Sequence, residues 1–102
     1  MKGKKAVIEQ LNDLLAMELT AADQYFVHSR MYQDWGFHKL YERVAHERDD
    51  ELEHANQLIQ RILFLEGTPD VAARGKLKIG KTVPDMLKSD LDYEIKSVKD
   101  LK

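Results

Sequence analysis

The stretch HKLYERVAHERDDELEHANQLIQRILFLEG, residues 38–67, decides how the rest of the sequence is interpreted. At spacings of three and four, one face of this segment is apolar at both ends and acidic in the middle. Glu51 and His54 lie in that acidic interruption, where a helix packed in a core would carry leucine or isoleucine. The positions on this face are Leu40, Val44, Glu47, Glu51, His54, Leu58, Ile62 and Leu65.

The sequence on both sides of the acidic interruption predicts an all-α fold. From about residue 4 to about residue 35, apolar residues recur with helical spacing, and no proline breaks the pattern. Gly36 marks the end of this first helix. A second helix is predicted over residues of about 38–65, and so short a turn makes the two helices antiparallel neighbours. Gly67 and Pro69 then predict a left-handed cap and a stop.

A long connection and a third helix follow. Residues 67–82 hold glycines, a proline and scattered apolar residues without a sustained period, which predicts a crossover loop unusually long for a compact domain. The third helix is predicted from about residue 83, with Thr82 or Val83 near the cap and Pro84 in the first turn. Residues 1–102 are therefore expected to form one domain, an apparently truncated helical bundle.

Each predicted helix interrupts its own apolar stripe with a carboxylate: Glu18 in the first, Glu51 in the second and Glu94 in the third, where Leu87 and Leu91 precede it on the stripe. Burying an unpaired carboxylate costs several kcal/mol of folding free energy. A core position therefore keeps a carboxylate only when a cation or strong hydrogen bonds compensate it. No lysine or arginine lies on these stripes near the three glutamates. Glu51 and His54, at i and i+3, have Cβ atoms about 5–6 Å apart and suit a shared metal ion.

Each of these features also has a simpler explanation when taken alone. Glu-x-x-His spacings are common on solvated helix faces, Glu18 fits a boundary position, and Glu94 fits an exposed face in a different register. The three together favour a metal site. Ferritin-like di-iron bundles use a Glu from each of two helices, Glu-x-x-His from each of the other two, and a long crossover. Glu18, Glu51 with His54, the crossover and Glu94 follow that order.

Composition limits the class of partner. Sixteen Lys plus Arg oppose eighteen Asp plus Glu, giving a formal charge of -2 with both signs interspersed. This balance argues against nucleic acid and membrane surfaces as partners. The absence of cysteine leaves oxygen and nitrogen as metal ligands. No signal-peptide core and no apolar run of about 18 residues is present, so a cytoplasmic location is expected.

The whole chain resembles the bacterioferritin family of ferritin-like di-iron proteins. The resemblance is carried by LNDLLAMELTAADQYFVHSRMYQDWGF (11–37), HANQLIQRILFLEG (54–67), GKLKIG (75–80) and MLKSDLDYE (86–94), in the family's order and spacing. It implies a ferritin-like four-helix bundle, of which this sequence holds helices one and two, the long crossover and part of helix three.

The resemblance also implies a function. Family members store and detoxify iron: a di-iron ferroxidase centre oxidises Fe(II) with dioxygen or peroxide, and a twenty-four-subunit cage stores the ferric mineral. Glu18 and Glu94 match terminal carboxylate ligands, Glu51 the bridging carboxylate and His54 the nitrogen ligand, and this donor set suits iron. Tyr25 matches a tyrosine beside the centre that supplies an electron. His46 and Asp50, at i and i+4, match an inner-surface iron site, and they fit a solvated face equally well.

One departure from the family concerns haem. Leu52 occupies the position of a methionine that ligates haem iron across a two-fold subunit interface, and leucine has no ligand atom. Axial haem ligation by this subunit is therefore not expected. The sequence resembles most the haem-ligand-lacking subunit type, sometimes named bacterial ferritin A, which forms cages alone or mixed with a haem-binding partner subunit.

A second departure leaves the function open. The family's fourth helix, with its second Glu-x-x-His, is not in this sequence, which is expected to be either a fragment or a chain completed by association with a second copy. The main hypothesis is an iron-storage ferroxidase. Its rivals are a non-catalytic shell subunit or fragment with an incomplete metal centre, and a different di-iron carboxylate oxidase.

Overall fold

A computed structural model describes the backbone of residues 2–101 and the side chains of residues 2–93. Three helices and no strand are found over this range: α1 (Lys5–Asp34), α2 (His38–Phe64) and α3 (Val83–Leu101). The predicted all-α fold class is confirmed. No helix among these residues combines the length and apolar character needed to cross a lipid bilayer.

The first two helices form an antiparallel hairpin. Gly36 has a φ of 82°, and the Phe37 N–H donates to the Tyr32 carbonyl at 2.9 Å, which closes α1 with a left-handed cap. The hairpin is joined by two clusters of buried residues. One holds Leu15, Ala55 and Ile62; the other, near the turn, holds Ala21, Tyr25, Tyr32, Val44 and Met86.

The end of α2 corrects one prediction. Gly67 was expected to take the left-handed conformation, but Glu66 takes it, with a φ of 61°. Gly67 instead donates its N–H to the Ile62 carbonyl at 2.9 Å. A Cβ on Gly67 would lie 2.8 Å from Cγ2 of Ile8, so this glycine is needed because α1 passes close to its backbone.

The third helix starts at Val83, and the side chains that it buries lie outside its apolar stripe. The Thr82 hydroxyl accepts the Asp85 N–H at 3.4 Å, in the manner of an N-cap. Leu87 and Leu91, placed on the core stripe by their spacing, have 47% and 55% of their surface exposed. The residues buried on this helix, within its described side chains, are Met86, Ser89 and Asp90.

The face that α3 turns towards α1 has a physical reason. In the part of the chain that the structure describes, the backbone of α3 lies close to α1 and further from α2. Buried polar side chains of α1 offer hydrogen bonds to Asp90, which leucine could not make. Leu87 and Leu91 therefore face a groove that they share with Leu40 and Val44 of α2.

Candidate metal centre

The α1–α2 hairpin brings together three side chains from the acidic interruptions. Glu18 comes from the middle of α1. Glu51 and His54 come from neighbouring turns of α2, on the same side of that helix. One ligand atom from each lies within 4.8 Å of the others. Nδ1 of His54 is 3.4 Å from Oε2 of Glu18 and 3.6 Å from Oε2 of Glu51. Two carboxylates and an imidazole thus converge on one point between the helices.

Glu18 is the residue whose environment most needs explanation. Only 7% of its surface is exposed, and its Oε2 is a buried atom that accepts no hydrogen bond. The His54 ring lies close enough to attract it electrostatically, but the geometry is not that of a hydrogen bond. Burial raises the pKa of the Glu18 carboxyl above its ordinary value of 4.5, and the neighbouring His54 offsets part of that rise.

The other two groups leave the cluster open on one side. The side chain of Glu51 is 15% exposed and that of His54 is 57% exposed. Glu18 and His54 line a groove of about 280 Å³ with Leu14, Gln57 and Leu58. A bound cation would therefore be held by the hairpin and reached from the groove.

The donor set fits the metal that the resemblance implies. Carboxylate oxygen and imidazole nitrogen both suit iron, and a cation would compensate the unpaired Oε2 of Glu18. When bound, iron would supply one-electron chemistry, while Glu18, Glu51 and His54 would hold it. Glu94, the fourth predicted ligand, lies outside the described side chains, although its position falls within α3.

The remaining predicted site residues lie at other positions of the same two helices. Tyr25 is 2% exposed in the core cluster near the turn, and it lines the groove with Leu87 and Leu91. His46 and Asp50 contact each other on the exposed surface of α2, with Nδ1 and Oδ2 3.3 Å apart. Leu52, also on α2, is 45% exposed. The roles assigned to these four residues stay predictions.

A second group of buried polar residues was not predicted. Thr20, Gln24 and His28, spaced by four along α1, each have 0% of their surface exposed. Their side chains accept backbone N–H groups from the crossover. The three bonds run from Gly75 to Thr20 (2.7 Å), from Lys78 to Gln24 (3.0 Å) and from Gly80 to Nε2 of His28 (3.1 Å). Polar residues at i, i+4 and i+8, which share one face of α1, were the available signal.

This ladder, defined as Thr20, Gln24 and His28, also reaches α3. Oδ1 of Asp90 accepts a hydrogen bond from Nε2 of Gln24 at 2.8 Å and lies 2.9 Å from Nδ1 of His28. Because the Gly80 N–H can only donate, Nε2 of His28 accepts, and the ring proton sits on Nδ1 and is donated to Asp90. His28 is therefore a neutral imidazole bonded on both nitrogens.

The sequence is similar to a known protein family and to several curated proteins. Residues 8–102 match the family model described as a ferritin-like domain. The chain is 69% identical over its full length to "Bacterial ferritin" of Paramagnetospirillum magnetotacticum, covering 62% of that protein. It is 60% identical over its full length to "Bacterial ferritin" of a Synechocystis strain, covering 65%. It is 44% identical to "Bacterioferritin" of Brucella melitensis over 92% of the chain, covering 58% of that protein.

The chain thus spans less than two thirds of the length of these curated relatives. The family match nevertheless extends over nearly the whole chain, including both helices that carry the cluster and the start of α3. The all-helical fold and the full-length identities agree with it. The chain belongs to the ferritin-like family.

Proposed function

We propose that this chain is part of an iron-storage protein that oxidises Fe(II) at a di-iron centre and deposits the ferric product inside a protein cage. Glu18, Glu51, His54 and Glu94 are the proposed iron ligands of this chain. The observation that carries the proposal is the buried, unpaired Oε2 of Glu18, which lies beside Glu51 and His54. Its relatives named as bacterial ferritins support the same function.

The proposed roles follow from position and charge. Glu18, the most buried ligand, is proposed as an anchor that gains most from a cation, because its buried Oε2 accepts no hydrogen bond. Glu51, whose Oε2 is 3.6 Å from Nδ1 of His54, is proposed as the bridging carboxylate that the family resemblance implies. His54, the most exposed of the three, is placed to bind iron that enters from the groove.

The proposed reaction balances in electrons and protons. Each Fe(II) gives up one electron, so a pair of ions reduces dioxygen, with two protons, to hydrogen peroxide, and peroxide itself can serve as the next oxidant. Tyr25 is proposed as the tyrosine beside the centre that supplies an electron to the oxidant, in addition to those from Fe(II). His46 and Asp50 are proposed as an inner-surface site that passes iron to the mineral. Residues 1–102 are proposed to belong to one ferritin-like domain of a cage-forming, cytoplasmic protein.

A rival role is a shell subunit without catalysis. The two roles differ in one measurable property, the rate at which added Fe(II) is oxidised in air.

The test is aerobic Fe(II) oxidation followed by near-ultraviolet absorbance, comparing the wild type with a Glu51→Ala, His54→Ala double variant. We expect the double variant to lose at least about tenfold in initial rate, because one helix presents both ligands to the same ion. The matched control is His38→Ala with Glu42→Ala, which removes the same side-chain types from exposed positions of α2. An undiminished rate in the Glu51, His54 variant would remove the ferroxidase assignment, and no oxidation by the wild type would favour the shell role.

A further inference from the structure

Two hydrogen bonds between α1 and α3 converge on one carboxylate. Oδ1 of Asp90 receives hydrogen bonds from Gln24 and His28, and all three side chains are buried. Among the described side chains of α3, the other two buried ones, Met86 and Ser89, add no polar bond to α1: Met86 makes apolar contact, and Ser89 donates within its own helix. Apolar contact tolerates sliding and rotation, whereas hydrogen bonds depend on direction. Asp90 therefore fixes how α3 is rotated on α1.

The contacts also set the direction in which α3 runs. Asp90 meets Gln24 and His28, and the hydroxyl of Tyr93, three residues further on, lies next to Gly75, as does the hydroxyl of Thr20. As α3 advances, its partners on α1 therefore move back towards Glu18, so the two helices are antiparallel. Residue 94 follows Tyr93 directly, which brings the backbone of α3 towards the level of the cluster.

The partners of Asp90 are themselves held in place. Gln24 accepts the Lys78 N–H and His28 accepts the Gly80 N–H, so each side chain is bonded at both ends. A side chain would not fit at Gly80 of the crossover, because an added Cβ would lie 2.6 Å from the backbone nitrogen of Met86 in α3. The crossover, α1 and α3 thus form one rigid arrangement around His28.

We propose that Gln24 and His28 are positioning residues of the metal centre, which act through Asp90 to set the rotation of α3 and so place Glu94 for iron binding. Neither residue touches the metal. This inference rests on the proposed function, because it assigns a purpose to the α1–α3 contact only if Glu94 is a ligand.

The first experiment measures Co(II) affinity by visible absorption in the full chain. Asp90→Ala removes the shared acceptor, and we expect binding at least about tenfold weaker, the usual effect of losing a group that orients a ligand. Asp90→Asn keeps a carbonyl oxygen that can accept both hydrogen bonds, so it should restore affinity close to that of the wild type. The control is Asn12→Ala, which removes two hydrogen bonds that α1 makes with the crossover, to Thr68 and Asp70, rather than with α3.

The decisive experiment repeats Asp90→Ala in a Glu94→Ala background. If Asp90 acts through Glu94, the second substitution should cause no further loss of affinity, whereas a general loosening of the fold would weaken binding in both backgrounds. Should Asp90→Ala lose its helical circular dichroism, Gln24→Met replaces it, since that change removes one of the two bonds to Asp90.

The possible results separate the two proposals. Equal Co(II) affinity in the wild type and Asp90→Ala overturns the positioning role and leaves the metal centre intact. Additive losses from Asp90→Ala and Glu94→Ala also overturn it. A wild type that binds no Co(II), with Glu18→Ala equally inert, overturns the proposed function, and the positioning role with it.

Discussion

At the scale of single residues, Glu18 shows how a site can reduce stability until its ligand arrives. Its carboxylate is almost fully buried, and one oxygen has no hydrogen-bond partner. A core built for stability alone would replace it with an apolar side chain, since removing an unsatisfied buried charge is often neutral or stabilising. The cost is understandable if a cation normally lies beside Glu18.

Glu18→Gln should therefore stabilise the metal-free chain near neutral pH. Because burial raises the pKa of this carboxyl above 4.5, the folded state holds the proton more tightly than the unfolded state. The free energy of unfolding should fall as the pH rises from about 4.5 through the folded pKa, and the Gln variant should lack that decline. We expect a gain on the order of 1 kcal/mol at neutral pH, together with weakened metal binding.

Urea unfolding of chelator-treated protein from about pH 4 to about pH 7 measures the effect. Glu53→Gln, at an exposed position of α2, is the control and should change little. A Glu18→Gln variant that is less stable than the wild type at neutral pH would contradict the explanation.

At the scale of elements, the ends of the helices show how local rules compete. The end of α1 follows the expected pattern, with Gly36 in the left-handed conformation. At the end of α2 the same conformation falls on Glu66, one residue before the glycine, because Gly67 is held against Ile8. A side chain in this conformation costs about 1 kcal/mol relative to glycine.

Glu66→Gly should accordingly stabilise the chain by about 0.5–1 kcal/mol, because φ at this position is 61°. Thermal unfolding followed by circular dichroism measures the change. Glu53→Gly, the same substitution inside α2, should destabilise by about 1 kcal/mol, because glycine is a poor helix former there. If both variants were destabilised equally, the strain assigned to Glu66 would be wrong.

At the scale of the whole molecule, the exposed surface of α2 carries the prediction about haem. Leu52 is 45% exposed, as a residue at a subunit interface would be in the isolated chain. The family resemblance places its symmetry mate opposite it in an assembled cage. We expect the homomeric protein to purify without stoichiometric haem, because leucine offers no ligand atom.

Leu52→Met should confer a haem spectrum with two sulfur ligands in the assembled protein. The folding cost should stay below about 1.5 kcal/mol, since the change nearly conserves volume. Absorption spectroscopy after haem reconstitution measures the result, with Leu63→Met, at another exposed position of α2, as the control. Stoichiometric haem with two sulfur ligands in the unmodified homomer would show that the interface is placed wrongly.

The sequence by itself determined the helices and the residues of the cluster. Helical periodicity is a local property, so it located α1, α2 and the start of α3, and it put Glu18, Glu51 and His54 on core-facing stripes. The end of α1 at Gly36 was also predicted from the sequence, because a left-handed cap depends only on the adjacent turn.

Only the tertiary structure decided how α3 and the crossover are placed. Leu87 and Leu91 have the spacing of a core stripe, but the buried face is set by Asp90, whose partners lie more than sixty residues earlier in the chain. Likewise, the crossover has no periodicity, yet its N–H groups pair with the ladder on α1. A hydrogen bond between distant residues leaves no periodic signal in either segment, so it became visible only when folding had brought the two together.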